Sequence, residues 1–514
     1  MITQEKKIGI IDLGSNSVRL VIFEIMQTGA FRLVDDISET VRLSEGMIDG
    51  KYINDFAMRR ATKTIKLFKK LSASYGILSK NIIAVATAAV RKAENRDQFL
   101  KLLQSSTGLN FKLLTGEEEA LYVYKAVIHT LDISGGIIVD IGGGSTEIIK
   151  FKDKSIQSFT SIPMGAVVAT EEYLEKDLVP LEKLYNLEQR IKDMLLDLGW
   201  INSEENQVII GLGGTIRNFS KIHRKMTNYP LDISHNYTVN ADEFINLYNG
   251  ITTLNLDERK KIEGMSLKRA DIIIGGLAIL KVIVDVSQAE QLIVSGNGLR
   301  EGLLLEYLFE NHLISGGKNV HFTNVLDFSL ENYMDLYGIR REHANHICHL
   351  SIAMFDQLRE LHKLGDEERR ILKVASLLHD IGIFISYYDH HKHSFYTILN
   401  SRINGLTHRE IILVAAVAAS HRKDKLKDDW ERTYKPLLKP GDIRMYRKLS
   451  IFLKIAECLD RSETGIIRSL ECTIEKNTIK IKTYRDDDAE LELSLANENS
   501  ELFKKVFNKF LQIT

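Results

Sequence analysis

Two short segments hold the residues best suited to chemistry on phosphate: Asp12-Leu-Gly-Ser-Asn-Ser-Val-Arg19 and Asp140-Ile-Gly-Gly-Gly-Ser-Thr-Glu147. Each places an aspartate at the end of an apolar run, then a turn of small residues, then a second apolar run. Glycine lets backbone N–H groups approach an anion closely, while Ser, Thr and Asn side chains add hydroxyl or amide donors. The phosphate-binding candidates are therefore Asn16, Ser17, Gly143, Gly144, Ser145 and Thr146. Asp12 and Asp140 flank the turns, and Glu147 closes the second one. Such carboxylates hold Mg2+ through oxygen ligands and water while the metal bridges phosphate oxygens. One glycine-rich turn is usually only a tight hairpin. Two in register, with a third at Gly211-Leu-Gly-Gly214-Thr215, favour a phosphate cradle.

Two further segments give that chemistry a direction. Ile82-Ile-Ala-Val-Ala-Thr87 reads as a strand running into Ala88-Ala-Val-Arg91, which sets Arg91 near the strand's carboxyl end. A guanidinium there can grip a phosphoryl group bidentately, although a solvated surface arginine is the plainer reading. Thr115-Gly-Glu-Glu-Glu119-Ala opens a helix, and its acids suit the positive helix N-terminus, so capping alone would account for them.

These residues need elements to position them. Ile8–Ile11 with Val18–Glu24, and Ile137–Asp140 with Glu147–Phe151, read as two strand hairpins, and Asn54–Ser74 as an amphipathic helix. The repeated hairpin points to a duplicated α/β fold. From about residue 310 strand signals vanish, and histidine-rich amphipathic helices run from about 323 to 465. Near the end, Cys472–Glu475, Thr478–Tyr484 and Ala489–Leu495 alternate like strands before a last helix at Glu501–Leu511. The predicted organisation is two α/β domains at 1–125 and 126–310, an all-α domain at 320–465 and a small α+β domain at 466–514.

Bulk composition limits the partners. Of 514 residues 44% are hydrophobic and 27% charged, the balance of a folded chain too long for one core. Sixty-eight Lys plus Arg against 69 Asp plus Glu give no broad cationic field, which argues against nucleic acid and anionic membranes as partners. The apolar runs Ile272–Leu280 and Ile411–Ala419 fall short of the roughly 18 residues a membrane span needs. Met1–Lys7 is polar, without the pattern of a signal peptide. Three scattered cysteines, Cys348, Cys458 and Cys472, suit a reducing compartment, with cytoplasm the expectation.

Taken in order and spacing, the two turns, Ala86-Thr-Ala-Ala-Val-Arg91, Thr115-Gly-Glu-Glu-Glu-Ala120, Gly213-Gly-Thr215 and Ser295-Gly-Asn-Gly298 closely resemble the exopolyphosphatase / guanosine pentaphosphate phosphohydrolase family of the actin-like ATPase superfamily. The resemblance covers about residues 1–310. It implies a cleft between two ribonuclease-H-like domains with Mg2+ and phosphates between the turns. Glu119 would be the general base for an attacking water, and Asp140 and Glu147 would hold metal or water with Asp12 close by. Arg91 and the turns, with Gly214 and Thr215, would bind terminal phosphates. The substrate would be inorganic polyphosphate or guanosine pentaphosphate, which no named residue separates, and the resemblance implies a homodimer.

Leu377-Leu-His379-Asp380-Ile-Gly382 is an HD signature, for which His343 and Asp460 supply the remaining ligands. Such a His/His/Asp/Asp set binds Mn2+, Fe2+ or Mg2+, and His391, His393 and His421 could extend it. The region resembles the HD-phosphohydrolase fold, which this family often carries with a decayed ligand set; here the dyad is intact. His421–Lys448 has ten Lys or Arg against five acids, an expected track for a long polyphosphate. Two other classes are weighed: an alarmone sensor without catalysis, disfavoured because Glu119, Asp140 and Glu147 are all present, and an enzyme centred on the HD residues.

Overall fold

The computed structural model describes residues 6–45, 47, 51–201, 208–314, 324–422 and 429–514. They fall into two units, Met1–Val325 and Leu326–Thr514. In the first unit, β1 (Lys6–Leu13), β2 (Ser17–Ile25) and β3 (Phe31–Thr40) form an antiparallel meander. β4 (Ile82–Ala86) and β5 (Phe111–Leu113) then add in parallel on the other side of β1, giving the order β3-β2-β1-β4-β5. Ile8, Ile10, Ile11 and Leu13 are all buried, on both faces of the central strand, which is why the run is continuously apolar and does not alternate.

The second sheet repeats the plan. β6 (Gly135–Ile141), β7 (Thr146–Lys152) and β8 (Ser155–Ile162) form its meander, and β9 (Val208–Leu212) and β11 (Gln291–Val294) its parallel side, with β10 (Tyr237–Asn240) added at the edge. Asp12 pairs with Arg19 across the first hairpin as Asp140 pairs with Glu147 across the second. The duplication read from two turns is thus a duplication of sheets.

Three buried cores hold this unit. The helix Asp55–Ser74, capped by the Asn54 side chain accepting from the Ala57 N–H, packs Ala61, Ile65 and Phe68 on the first sheet. The helix Ile273–Ser287 does the same for the second sheet. Between the sheets, Val21 and Phe23 of one and Ile149 and Phe151 of the other share a core with the helices Gly116–Ile128 and Leu299–Glu310. Those helices meet closely: a Cβ on Gly302 would stand 2.0 Å from the Tyr122 carbonyl oxygen. This contact fixes the helix whose first turn carries Glu119.

The second unit packs the helices Arg341–Gln357, Asp366–Leu378, His390–Asn400, His408–Ala419 and Asp442–Leu459, followed by a sheet of β12 (Ile467–Ile474), β13 (Thr478–Arg485) and β14 (Phe510–Ile513). Two expectations for the tail are corrected. Ala489–Leu495 is not a strand, because the helix Glu490–Asn497 occupies that stretch. Its buried positions, Ala489, Glu492, Ala496 and Asn499, recur every three or four residues, and Leu491 is left 56% exposed. Strong helix formers outweigh a chance alternation there. The last helix ends at Phe507, where Asn508 turns left-handed at φ 55°, and Phe510–Ile513 returns as a strand parallel to β13. Residues 315–323, where the sequence changes character, and 423–428 of the basic run lie outside the described residues. Among the described residues no helix is long and apolar enough to cross a membrane.

Gly302→Ala tests the central helix contact. It is expected to cost about 1–3 kcal/mol through overpacking, read as a lower Tm, and an unchanged Tm would contradict so close an approach.

Candidate active site

The two glycine turns face each other. A Cβ on Gly143 would lie 3.1 Å from the Ser15 Cβ, and one on Gly144 would lie 2.6 Å from the Ser15 Oγ, so no bulkier residue fits on that side. Each turn closes the same way: the Gly14 N–H donates to Ser17 O at 3.0 Å, and the Gly142 N–H to Ser145 O at 3.0 Å. Carbonyls are tied from behind. Asn16 O accepts from the N–H groups of Val41 and Arg42, and the Gly142 and Gly143 carbonyls accept from Ala166 and Val167 at the start of the helix Ala166–Tyr173. The N–H groups of Ser15, Asn16, Gly143 and Gly144 have no partner among the described residues. They are left to serve an anion.

Carboxylates crowd this cleft. Glu119 lies in the first turn of its helix, where Glu118 takes the capping role: Thr115 and Glu118 form a reciprocal capping box. Glu119 is therefore free to turn inward, where Arg91 Nη1 donates to its Oε2 at 3.0 Å and also to Leu114 O at 2.9 Å. Glu147 is buried and accepts at Oε1 from Ser145 Oγ and Ser161 Oγ, each at 2.8 Å. Burial, and then the neighbouring Asp140, push Glu147 up to about 7. Burial pushes Asp140 up to about 6 against the pull of Arg217 and Arg300. Asp12 is raised by burial and held back by Arg300, whose Nη1 donates to its Oδ2 at 3.2 Å. Burial and the Glu147 charge hold Glu119 well above the usual carboxylate range, with Arg91 opposing.

The same cleft carries cations beside these carboxylates. Arg217, Arg269 and Arg300 line it, and Arg19, across the hairpin from Asp12, pairs with Asp36. Burial, with Arg19 and Arg300 nearby, lowers Arg217 to about 9, and burial with Arg19 lowers Arg269 to about 10. Like charges held this close call for an anion between them. The sequence reading missed all four. Two had a signal: Arg217 lies two residues after the Gly213-Gly-Thr215 turn and Arg300 two after the Ser295-Gly-Asn-Gly298 turn, both at the start of a helix facing the cleft. Arg19 stands in the repeat where Glu147 stands in the other copy. For Arg269 we find no local signal.

Asp12, Asn16, Ser17, Glu119, Asp140, Gly143, Gly144, Ser145 and Gly214 all line the cleft, and Arg91 stands behind Glu119. Two expected ligands turn away. The Thr146 hydroxyl donates to Met164 O at 2.7 Å beneath the turn, and Thr215 packs against Gly276, where a Cβ would stand 2.4 Å from its Oγ1. Alternation along β7 sends Thr146 to the face opposite its neighbours, and the first turn of the helix Gly213–Met226 rotates Thr215 inward.

The cleft fits a divalent cation of oxygen preference. Buried carboxylates whose charges are suppressed by burial and mutual repulsion gain from a cation between them. Among the described residues no three of the cleft carboxylates come close enough to form a complete cage. That suits Mg2+, which keeps water and phosphate oxygens as ligands beside one or two carboxylates.

In the second unit His343, His379 and Asp380 come together as expected, and His421 joins them through Asp380. His391 and His393 belong to neither group; one residue along a helix is a rotation of about 100°, so His391 points away where His390 faces the cluster. Asp460 is also corrected: its Oδ2 bonds His343 Nδ1 at 2.8 Å from behind, and Glu457 takes the inner position, 3.4 Å from His343 Nε2.

Known proteins resemble this chain in sequence and in fold. The sequence profile of the Ppx/GppA phosphatase family matches residues 21–311, and that of Ppx/GppA phosphatase, domain III, matches 325–502. A guanosine-5'-triphosphate,3'-diphosphate pyrophosphatase of Pseudoalteromonas translucida is 27% identical over 82% of this chain and 82% of its own. The protein of the same name in Aliivibrio fischeri is 28% identical over 80% of each. Among solved structures, the Aquifex aeolicus Ppx/GppA family member is 28% identical at a TM-score of 0.51, over 60% of this chain and 100% of its own. An exopolyphosphatase from Cytophaga hutchinsonii, at 22% identity and a TM-score of 0.54 over 59% of this chain and 98% of its own, shares the fold.

The charge balance predicts how metal-free protein responds to pH. Asp140 and Glu147 titrate near 6 and 7 when folded, against ordinary values of 3.8 and 4.5, so the folded state holds protons that the unfolded chain releases. Their stabilisation is complete below the ordinary values and is lost as pH rises through 6 to 7. In chelator the Tm should fall across that window, and Mg2+ should flatten the decline. A Tm unaffected by Mg2+ at pH 8 would contradict the assignment.

Proposed function

Because the chain belongs to the Ppx/GppA phosphatase family, whose members hydrolyse phosphoanhydride bonds, we propose that its cleft is a Mg2+-dependent exopolyphosphatase site releasing orthophosphate from the end of inorganic polyphosphate. One observation carries the substrate: the cleft is lined mainly by glycine turns, hydroxyls, carboxylates and arginines, and among the described residues no aromatic side chain lines it to stack on a base. Asp12, Asp140 and Glu147 would hold Mg2+, directly or through water and beside substrate oxygens, and the ion would supply charge neutralisation on the terminal phosphoryl group.

The residues of the chain divide the remaining work. The turns around Ser17 and Ser145 hold the terminal phosphoryl group, and the cleft arginines take the phosphates behind it. Glu119, held by Arg91, accepts a proton from water as the water oxygen bonds to the terminal phosphorus. The bond from that phosphorus to its bridging oxygen breaks, and the shortened chain leaves with the electron pair. Such transfer asks mainly for positioning and charge.

A second reading is removal of the terminal 5'-phosphate from guanosine-5'-triphosphate,3'-diphosphate. It is favoured by the name that relatives matching most of the chain, across both units, carry. The same turns and base would serve, and the cleft arginines would receive the second diphosphate. We also read the helical unit as an HD-like domain, from the gathering of His343, His379 and Asp380, the whole as a homodimer, from the family resemblance, and its place as the cytoplasm, from the three scattered cysteines.

Turnover of polyphosphate and of guanosine-5'-triphosphate,3'-diphosphate by one purified sample tests the substrate: a higher kcat/KM on the nucleotide would replace the first reading by the second. Glu119→Gln should lower kcat on either substrate by about 10^2 to 10^4-fold with little change in KM. It should also remove the acid limb of the pH profile, which the raised Glu119 places above the range of an ordinary glutamate. Unimpaired kcat would show that another group is the base.

A further inference from the structure

We propose that the helical unit holds two divalent transition-metal ions in one centre, bridged by Asp380. This is independent of the cleft reading. Two groups of metal-ligand spacing share that carboxylate: His343, His379 and Asp380 on one side, and Asp380, His390 and His421 on the other. The two carboxylate oxygens face opposite ways. Oδ2 lies 3.6 Å from His379 Nε2 and 4.0 Å from His343 Nε2, while Oδ1 lies 3.3 Å from His390 Nε2 and 3.7 Å from His421 Nε2. One oxygen serves each side, as a bridging carboxylate requires.

The four imidazoles are oriented from behind in one sense. His379 Nδ1 bonds Ser376 O at 2.8 Å, His390 Nδ1 bonds Tyr387 O at 2.8 Å, and His421 Nδ1 bonds Ala418 O at 2.6 Å. His343 Nδ1 bonds Asp460 Oδ2 at 2.8 Å. Each of these acceptors fixes the ring proton on Nδ1 and turns an Nε2 lone pair toward Asp380, the arrangement in which a second partner orients a metal-bound histidine. Five separate elements bring these groups together: the helices beginning at Arg341, Asp366 and His390, the end of the helix beginning at His408, and the helix Asp442–Leu459, which contributes Glu457.

Lone pairs aimed at one another repel unless a proton or a metal ion is shared between them. His390 Nε2 and His421 Nε2 are 2.8 Å apart, and Glu457 Oε2 lies 3.3 Å from His379 Nε2. His379, His390, His421 and Glu457 are buried, Asp380 is half-buried, and His379 Nε2, Asp380 Oδ1 and Glu457 Oε2 make no hydrogen bond. A nitrogen-and-carboxylate set without thiolate suits Mn2+, Fe2+ or Zn2+. A cavity lined by Tyr337, Arg340 and Phe384 leads to His343, His379 and Asp380, giving ions a route of entry.

The test uses the full chain, stripped by chelator and reloaded with Mn2+, then washed with excess Mg2+ to clear the cleft. Element analysis and electron paramagnetic resonance should find two retained Mn2+ per chain with an exchange-coupled signal. Asp380→Asn should lose both ions, and His421→Gln one, with an uncoupled signal left. Should Asp380→Asn fail to fold, His421→Gln decides alone. Fewer than two retained ions, no coupling in the parent, or parent-like metal content in the folded variants would overturn the proposal. Phosphate release measured on the same samples separates loss of this centre from failure of the cleft reading.

Discussion

The close approach of the two glycine turns is the constraint on which the rest of the first unit depends. A methyl group on Gly143 would stand 3.2 Å from the Asn16 main-chain nitrogen, just as one on Gly144 would strike Ser15. Backbone therefore meets backbone across the cleft. Lys92, from the short helix Ala88–Lys92 of the first sheet's side, ties the contact by donating to the Gly144 carbonyl at 2.9 Å. Because each turn continues directly into a central strand, the positions of Asp12 and Asp140 follow from the sheets and not from flexible loops.

That rigidity makes an unfavourable charge distribution sustainable. Carboxylates and guanidiniums are held side by side, both taken from water, and burial together with like-charged neighbours shifts Glu119, Glu147 and Arg217 toward neutrality. Burying like charges costs free energy that only a ligand of the opposite sign relieves. A phosphate chain with a divalent cation supplies both signs at once. The binding groups are thus preorganised for the charges that phosphoryl transfer develops.

Much of this was legible in the sequence because the features are local. The turns, their flanking strands, the capped helix with Glu119 and the duplication all show in short windows. What was not legible depends on distant contacts. Arg269 reaches the cleft from a stretch without strand or helix pattern, and Arg19 is recognisable only once the two hairpins are superposed. Thr146 and Thr215 have the right residue type and face the core. In the helical unit, the choice of His390 over His391 and of Glu457 over Asp460 turns on helix rotation, which composition does not reveal. The Ala489–Leu495 stretch was misread because four alternating apolar residues satisfy a strand pattern while the fold uses a different, helical set of buried positions.

The most direct measurement of the account is a crystal structure of the chain with pyrophosphate and Mn2+, located by anomalous diffraction. The account predicts one phosphoryl group held by main-chain N–H groups from both turns, Ser15–Asn16 and Gly143–Gly144, with manganese beside Asp12 or Asp140 and the Glu119 carboxylate facing the terminal phosphorus. Pyrophosphate bound by one turn alone, or away from both with the cleft empty, would contradict it.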